Sequence, residues 1–134
     1  MSQYSQVNSS LLDSNGIDQD ASLVLARTAA LAADDRKGDN ILIIRVAEVS
    51  YLADYFAIIT GFSKVHVRAI AESIKEKVEQ ECERVPVRQE GQESGTWQVL
   101  DYGDIIVHVL MPNQREYYNL EAFWGHAERV EFSA

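Results

Sequence analysis

The chain has 134 residues, of which 46% are hydrophobic and 25% charged, with 12 Lys and Arg against 21 Asp and Glu. This length predicts a single globular domain that needs no disulfide or structural metal, and the one cysteine, Cys82, cannot form an internal disulfide. The formal net charge of -9 disfavours direct binding to nucleic acid, because Lys and Arg hold phosphate backbones, and it favours a basic partner.

The N-terminal stretch differs in composition from the rest of the chain. Residues 1–20 are rich in Ser, Gln, Asn and Asp and show no sustained hydrophobic periodicity, which is typical of a disordered arm. Residues 21–134 are therefore predicted to form the folded domain. No apolar run approaches the roughly 20 residues that cross a bilayer, and the N-terminus lacks a signal-peptide pattern, so we expect a cytoplasmic protein.

Apolar periodicity predicts one helix and two strands in the first half of this domain. The helix begins after Asp20 or Ser22, either of which can cap it, and ends at Gly38. Asn40–Val46 and Tyr55–Thr60 are apolar on both pleat faces, which is typical of interior strands. The residues expected on the buried face of the helix are Leu23, Ala26, Ala30 and Leu31.

A second helix and a short strand follow. Ser63 is a suitable N-cap, and apolar residues recur at helical spacing from Val67 to about Cys82. Val85–Arg88 reads as an extended segment, and Pro86 confines it to a sheet edge because proline cannot donate to a ladder.

The last third predicts a hairpin and the final helices. Thr96–Leu100 and Asp104–Leu110 have strong strand character, and Gly103 can take the positive φ that their turn requires. Helical sequence is expected over Asn113–His126, opened by a capping box in which Glu116 is the partner of Asn113. The element order indicates an α/β (α+β) domain, with a mixed five-stranded sheet and helices packed on both faces.

The sequence offers little catalytic chemistry. It contains no nucleophile motif, no phosphate-cradling loop and no His/Cys cluster at metal-ligand spacing, so we predict no catalytic residues, no metal and no cofactor. His108 lies in an apolar strand and is either satisfied by a neighbouring carbonyl or available for contact or acid–base chemistry. Asp101 and Asp104 could bind magnesium as a pair, but Asp is also a preferred turn residue, and we favour the turn.

Aromatic residues are concentrated in the last third of the chain. Trp97 opens a strand, and for this residue a core position and an interface position are equally expected. Tyr102 at the hairpin tip is expected at an interface.

A series of short motifs in this order resembles the ribosomal silencing factor RsfS, or Iojap-like, family over residues 23–127. The matching segments are Asp39–Ile41, Leu52–Phe56, Thr60–Ser63, Ala69–Glu72, Glu90–Gly91, Trp97–Asp104, Val107–Val109, Tyr118–Glu121 and Phe123–Trp124. The resemblance implies a nucleotidyltransferase-like fold without enzymatic activity. It implies a factor that binds the large ribosomal subunit through large-subunit protein fourteen and sterically blocks the small subunit, lowering translation under nutrient limitation. It also implies a homodimer in the free state.

The resemblance implies a contact surface as well. The residues carried over to it are Trp97, Leu100, Asp101, Tyr102, Asp104, His108, Arg115 and Tyr118. In this reading Trp97 and Tyr102 supply buried area, while Asp101 and Asp104 meet Lys or Arg of the partner.

Two other functions remain open on the sequence alone. An active nucleotidyltransferase needs two carboxylates on alternate positions of a strand to hold magnesium, and Val85–Arg88 offers no such pair. A scaffold that only self-associates is the other alternative, supported by little beyond the surface aromatics.

Overall fold

The structure is a computed structural model that describes residues 20–47 and 52–132. The predicted arm therefore lies outside the described residues except for Asp20. The elements in chain order are α1 (Ala21–Asp35), β1 (Asp39–Arg45), β2 (Tyr55–Thr60), α2 (Lys64–Cys82), β3 (Arg88–Glu90), β4 (Trp97–Asp101), β5 (Ile105–Leu110), α3 (Pro112–Tyr118), α4 (Leu120–Phe123) and β6 (Glu128–Val130).

The described strands form one mixed sheet in the order β3-β4-β5-β2-β1-β6, in which β2 and β5 are parallel and the other neighbours antiparallel. The predicted α/β class is confirmed, but the expected count of five strands is wrong. The sixth strand, β6, pairs with β1 through Val130 opposite Ile43. A three-residue strand is too short to show a pattern of alternating apolar residues, and its pairing depends on a partner that is distant in sequence.

Helix α1 begins as the sequence predicts. The side chain of Asp20 accepts a hydrogen bond from the backbone N–H of Leu23, and it also accepts one of 2.6 Å from the hydroxyl of Tyr55. Its buried face consists mainly of alanines and Leu25, which let the helix approach the sheet and α2 closely. Leu31 was expected on this face but is 46% exposed. In an apolar-rich helix several faces look alike in sequence, so periodicity alone does not select the buried one.

Helix α2 follows a turn that the sequence signals directly. The side chain of Ser63 accepts from the backbone N–H of His66, as expected of an N-cap, and Glu83 ends the helix in the left-handed region with φ 57°. Its buried stripe recurs at three- and four-residue spacing through Val67, Ile70, Ala71, Ile74 and Val78.

Side-chain alternation gives the sheet two different faces. The first face lies under α1 and α2 and carries the larger core, which includes Ile43, Ile59 and Val107. The second face carries a smaller apolar cluster around Phe56 and Ile58, against which part of the C-terminal segment packs. Helices therefore contact both faces, as predicted, but only the first face is fully covered.

Two local predictions are wrong. Edge strand β3 is Arg88–Glu90 rather than Val85–Arg88, because the paired register starts at Arg88 opposite Asp101. The capping box at Asn113 does not form: the N-cap is Met111, which makes no side-chain cap bond, and Pro112 takes the first helical turn. Proline suits that turn because its missing N–H would be unpaired there in any case.

Candidate partner-binding site

The second face of the sheet contains a wide groove of about 390 Å³ with a mainly apolar lining. Its floor is formed by strands β2, β4 and β5, and one wall is formed by the C-terminal segment from α4 onward. The lining residues are Leu52, Phe56, Arg88, Glu90, Val99, Asp101, Ile106, His108, Leu120, Phe123 and Trp124. Leu52 and Phe123 are 69% and 79% exposed, so the rim of this groove combines exposed apolar side chains with the charged residues Arg88, Glu90 and Asp101.

Trp97 and His108 form a hydrogen-bonded pair at this face. The indole Nε1 of Trp97 donates to Nδ1 of His108 at 3.1 Å, across the β4–β5 pairing. The imidazole is also held by Phe56, whose ring centroid lies 5.3 Å away in an edge arrangement. The sequence predicts for His108 either a carbonyl partner or a ring available for contact or acid–base chemistry. Neither prediction includes the partner observed, which is the indole of Trp97.

The protonation state of His108 follows from this environment. The side chain is buried, and burial lowers its pKa to about 4. Because an indole N–H can only donate, Nδ1 of His108 must be the acceptor, and the neutral ring carries its proton on Nε2.

A chain of aromatic rings leads from the groove to the surface. The ring centroids of Trp97 and Tyr118 are 4.9 Å apart, and those of Tyr118 and Tyr117 are also 4.9 Å apart. Tyr117 is 80% exposed and Tyr118 is 50% exposed. Trp97 and Tyr118, both singled out from the sequence, therefore lie together beside the groove, in a neighbouring depression that shares Glu90 and Val99 with it.

Gly91 positions the backbone that carries Trp97. It has φ +89°, and a Cβ at this residue would lie 1.8 Å from the carbonyl oxygen of Trp97. Only glycine accommodates both the left-handed backbone and this close approach. The backbone geometry beside the groove thus explains why glycine follows Glu90 in this motif.

Leu100 and Tyr102 lie on the opposite side of the sheet from this groove. Leu100 is 0% exposed and Tyr102 is 2% exposed, and both belong to the core under α1 and α2. The expectation that Tyr102 is an exposed interface anchor is therefore wrong. Alternation along β4 turns Leu100 away from Trp97 and Asp101, and burial raises the pKa of the Tyr102 hydroxyl to about 12.

The two aspartates of the hairpin have different roles. Asp101 lines the groove, and its side chain accepts a hydrogen bond of 2.8 Å from the backbone N–H of Gly103, the turn geometry favoured from the sequence. Asp104 instead accepts from Arg84, with Nη2 to Oδ1 at 2.6 Å, and from the hydroxyl of Ser22. Asp104 is thus already paired within the chain, which corrects the expectation that it meets a partner's Lys or Arg.

The charge of Asp104 is stabilised where it lies. Burial by itself would raise the pKa of this carboxyl, but the hydrogen bonds from Arg84 and Ser22 and the guanidinium charge outweigh burial and lower it. Asp104 therefore stabilises the junction of α1, the segment after α2 and the β4–β5 turn.

Arg115 is a second buried ionic position. It is 7% exposed, its Nη1 donates to the hydroxyl of Thr60 at 3.0 Å, and its Nε donates to Glu121 at 3.1 Å. Burial makes it a brace between α3, the end of β2 and α4 rather than a surface contact.

The structure adds groove residues that the sequence did not single out as contacts. Phe56, Ile106 and Phe123 line the groove with His108, and the first two share its side of the sheet. Alternation along β5 from His108 could have identified Ile106, and the parallel register pairs Ile106 with Phe56, which presents the same face. Phe123 lies beyond the sheet, and only the tertiary structure brings it there.

Among residues 20–47 and 52–132, no group of three or more His, Cys, Asp or Glu side chains could hold a metal ion. In the same part of the chain, no helix is long and apolar enough to cross a membrane.

Comparison with known proteins identifies the family. The family model described as "Ribosomal silencing factor during starvation" matches residues 19–134. The chain belongs to the ribosomal silencing factor (RsfS) family. An RsfS protein of Halalkalibacterium halodurans is 41% identical over 107 residues, which cover 80% of this chain and 91% of that protein. The chloroplast protein Iojap of Zea mays is 34% identical over 115 residues, which cover 85% of this chain and 50% of that protein.

Solved structures agree with the assignment to the RsfS family. A crystal structure of a Chromobacterium violaceum protein superposes with a TM-score of 0.73 at 34% identity, covering 83% of this chain and 91% of that one. The motifs that resemble RsfS proteins lie on strands of the sheet, on α2 and in the segment of α3 and α4, and some of their residues line the groove described above.

Proposed function

We propose that this RsfS-family protein binds the large ribosomal subunit through large-subunit protein fourteen and sterically prevents the small subunit from joining. The observation that supports this most is the apolar groove on the second sheet face, bordered by Trp97, Asp101 and Tyr118, in a chain with a net charge of -9. An apolar centre with a polar rim is the usual composition of a protein interface, and an acidic chain attracts a basic partner.

The contact surface in this proposal is smaller than the one carried over from the sequence. Trp97, Asp101, His108 and Tyr118 lie at or beside the groove and can meet a partner. The remaining four act from within the fold: Leu100, Tyr102, Asp104 and Arg115.

The proposed activity is binding rather than catalysis, and it takes place in the cytoplasm, where bacterial ribosomes assemble. The family description refers to starvation, which supports a role in repressing translation when nutrients are scarce. Because a blocking factor need only occupy the joining surface, no reaction chemistry is required of the groove.

The test is a subunit-joining assay. Purified large and small subunits are mixed with increasing amounts of the protein and resolved by sucrose-gradient sedimentation. We expect fewer joined ribosomes, with the protein sedimenting alongside the large subunit. Unchanged joining at saturating protein would contradict the proposed function.

A pair of charge-neutralising variants sharpens this test. Asp101→Asn removes a carboxylate at the groove but can keep the turn hydrogen bond to Gly103. Glu76→Gln removes the same charge from an exposed position on α2, on the other side of the sheet. We expect Asp101→Asn to weaken inhibition and Glu76→Gln to leave it unchanged.

We also propose that the free protein forms a homodimer that covers the same groove. The exposed aromatic rings of Tyr117 and Phe123 support this, since apolar surface of this kind favours association. Analytical ultracentrifugation should then show monomer increasing on dilution and on Phe123→Asp substitution. A monomer at all concentrations would refute it.

A further inference from the structure

The hydrogen-bonding capacity of His108 is only half used. Nδ1 accepts from Trp97, whereas Nε2 has no hydrogen-bond partner among the described residues. The His108 ring is 9% exposed and lines the groove, and its unpaired Nε2 is not fully buried. Nε2 is therefore accessible, and the accessible space beside His108 is the groove.

The ring that carries this donor is held in place on several sides. Phe56 contacts it at 5.3 Å between centroids and Trp97 at 5.9 Å, and the indole hydrogen bond selects the form with the proton on Nε2. The lowered pKa of His108 keeps the ring neutral at physiological pH. The groove floor thus offers one oriented, uncharged donor among apolar side chains.

We infer that the groove binds an extended protein segment of the partner, with an aliphatic side chain on the apolar floor and a main-chain carbonyl that accepts from Nε2 of His108. This inference rests on the proposed function and states the chemistry of the group that the site recognises. Trp97 is the positioning residue, because its indole determines which imidazole nitrogen carries the proton.

The surroundings select this occupant over others. A Lys or Arg side chain has only donors and cannot pair with Nε2–H, so basic groups of the partner are directed to the carboxylates of Glu90 and Asp101 at the rim. A carboxylate would face those two negative charges against the single positive charge of Arg88, and it would lose its hydration in an apolar groove. A main-chain carbonyl is neutral, accepts hydrogen bonds without donating any, and is accompanied by a side chain that can pack on the apolar floor of the groove.

Two substitutions separate the donor from the volume of the ring. In His108→Gln, the amide oxygen can accept from Trp97 while the amide nitrogen donates in place of Nε2. In His108→Phe, a ring of similar size remains but both hydrogen bonds are lost. Binding of each variant and of the wild-type full chain to purified large ribosomal subunits is measured by titration, with circular dichroism as the control for folding.

We expect His108→Phe to bind about tenfold more weakly than wild type, the usual effect of leaving one buried polar group unpaired, and His108→Gln to bind within about threefold. Equal affinities for wild type and His108→Phe would overturn this inference and leave the proposed function intact. Absence of wild-type binding would overturn both.

A spectroscopic measurement on the free protein covers the case in which His108→Phe does not fold. The ¹⁵N shifts of the His108 ring should show a proton on Nε2 in wild type, and Trp97→Phe should shift the ring towards a mixture of tautomers. A proton on Nδ1 in the wild-type protein would overturn the inference, whatever the affinities.

Discussion

Arg84 joins the segment after α2 to the β4–β5 turn through Asp104, with its Nη2 2.6 Å from Oδ1 and its Nη1 3.2 Å from Oδ2 of the same carboxylate. Nη2 also donates to the carbonyl of Tyr102 at 2.6 Å. One guanidinium thus holds both the side chain and the backbone of the turn. Because Ser22 of α1 donates to the same carboxylate, the junction involves three parts of the fold.

Replacing Asp104 should therefore destabilise the domain. Asp104→Ala removes the carboxylate that accepts from both Arg84 and Ser22, although Arg84 keeps its bond to the carbonyl of Tyr102. We expect the free energy of unfolding to fall by about 2 kcal/mol in urea denaturation. Asp101→Ala, in which a single turn hydrogen bond is lost, is the matched control and should cost about 0.5 to 1 kcal/mol. An equal loss for the two variants would show that the junction adds nothing beyond an ordinary turn bond.

Tyr102 should behave as a core residue. Tyr102→Ala removes a side chain that is 2% exposed, and we expect a loss of about 3 to 5 kcal/mol in unfolding free energy. Its hydroxyl has no hydrogen-bond partner among residues 20–47 and 52–132, so Tyr102→Phe should be neutral or slightly stabilising. Thermal and urea denaturation of both variants measure this, and a destabilising Tyr102→Phe would reveal a partner for the hydroxyl.

The rim of the groove can be changed without disturbing the core. Phe123→Asp places a charge on a residue that is 79% exposed, so the fold should persist while binding to large subunits weakens by tenfold or more. Val65→Asp is the matched control, because Val65 is 68% exposed on α2 and does not line the groove. Co-sedimentation with large subunits distinguishes them, and equal binding by the two variants would remove Phe123 from the interface.

The stability of the domain should depend on pH through His108. Its folded pKa of about 4 lies below the ordinary value of 6.5, so the unfolded chain takes up a proton at a higher pH than the native one. The contribution of the neutral ring is present above pH 6.5 and is lost as pH falls towards 4, by about 3 kcal/mol in total.

This pH effect is isolated by comparison with His108→Gln, which has no proton to gain. Urea denaturation at several pH values between 7.5 and 4 should show wild type losing more stability than the variant over that interval. Parallel curves for the two proteins would mean that the folded pKa of His108 is close to its ordinary value.

Local signals in the sequence were sufficient for much of the fold. The hydroxyl of Ser63 and the apolar spacing that follows it locate α2, and the apolar run from Tyr55 to Thr60 defines β2 at its observed bounds. Gly103 has the positive φ expected of the turn, at +94°. In each case the determining interactions lie within a few residues of one another.

The remaining features depend on long-range contacts. Strand β6 has three residues, and pairing with β1 rather than its own composition makes it a strand. The position of Tyr102 at a turn predicts an exposed side chain, because turns lie at the surface, but packing under α2 buries it. The groove itself could not be derived from sequence, since Phe123 and Leu52 meet there from segments about 70 residues apart.

The order of the strands has a consequence for how the protein is made. Strand β1 is the first strand of the described chain, yet one of its edges is covered by β6, the last, and the backbone carbonyl of Glu131 accepts from Arg27 of α1. While synthesis is in progress, the β1 edge therefore stays unpaired until almost the whole domain has been translated and has left the exit tunnel. The complete sheet can therefore form only after Glu128–Val130 has emerged from the ribosome.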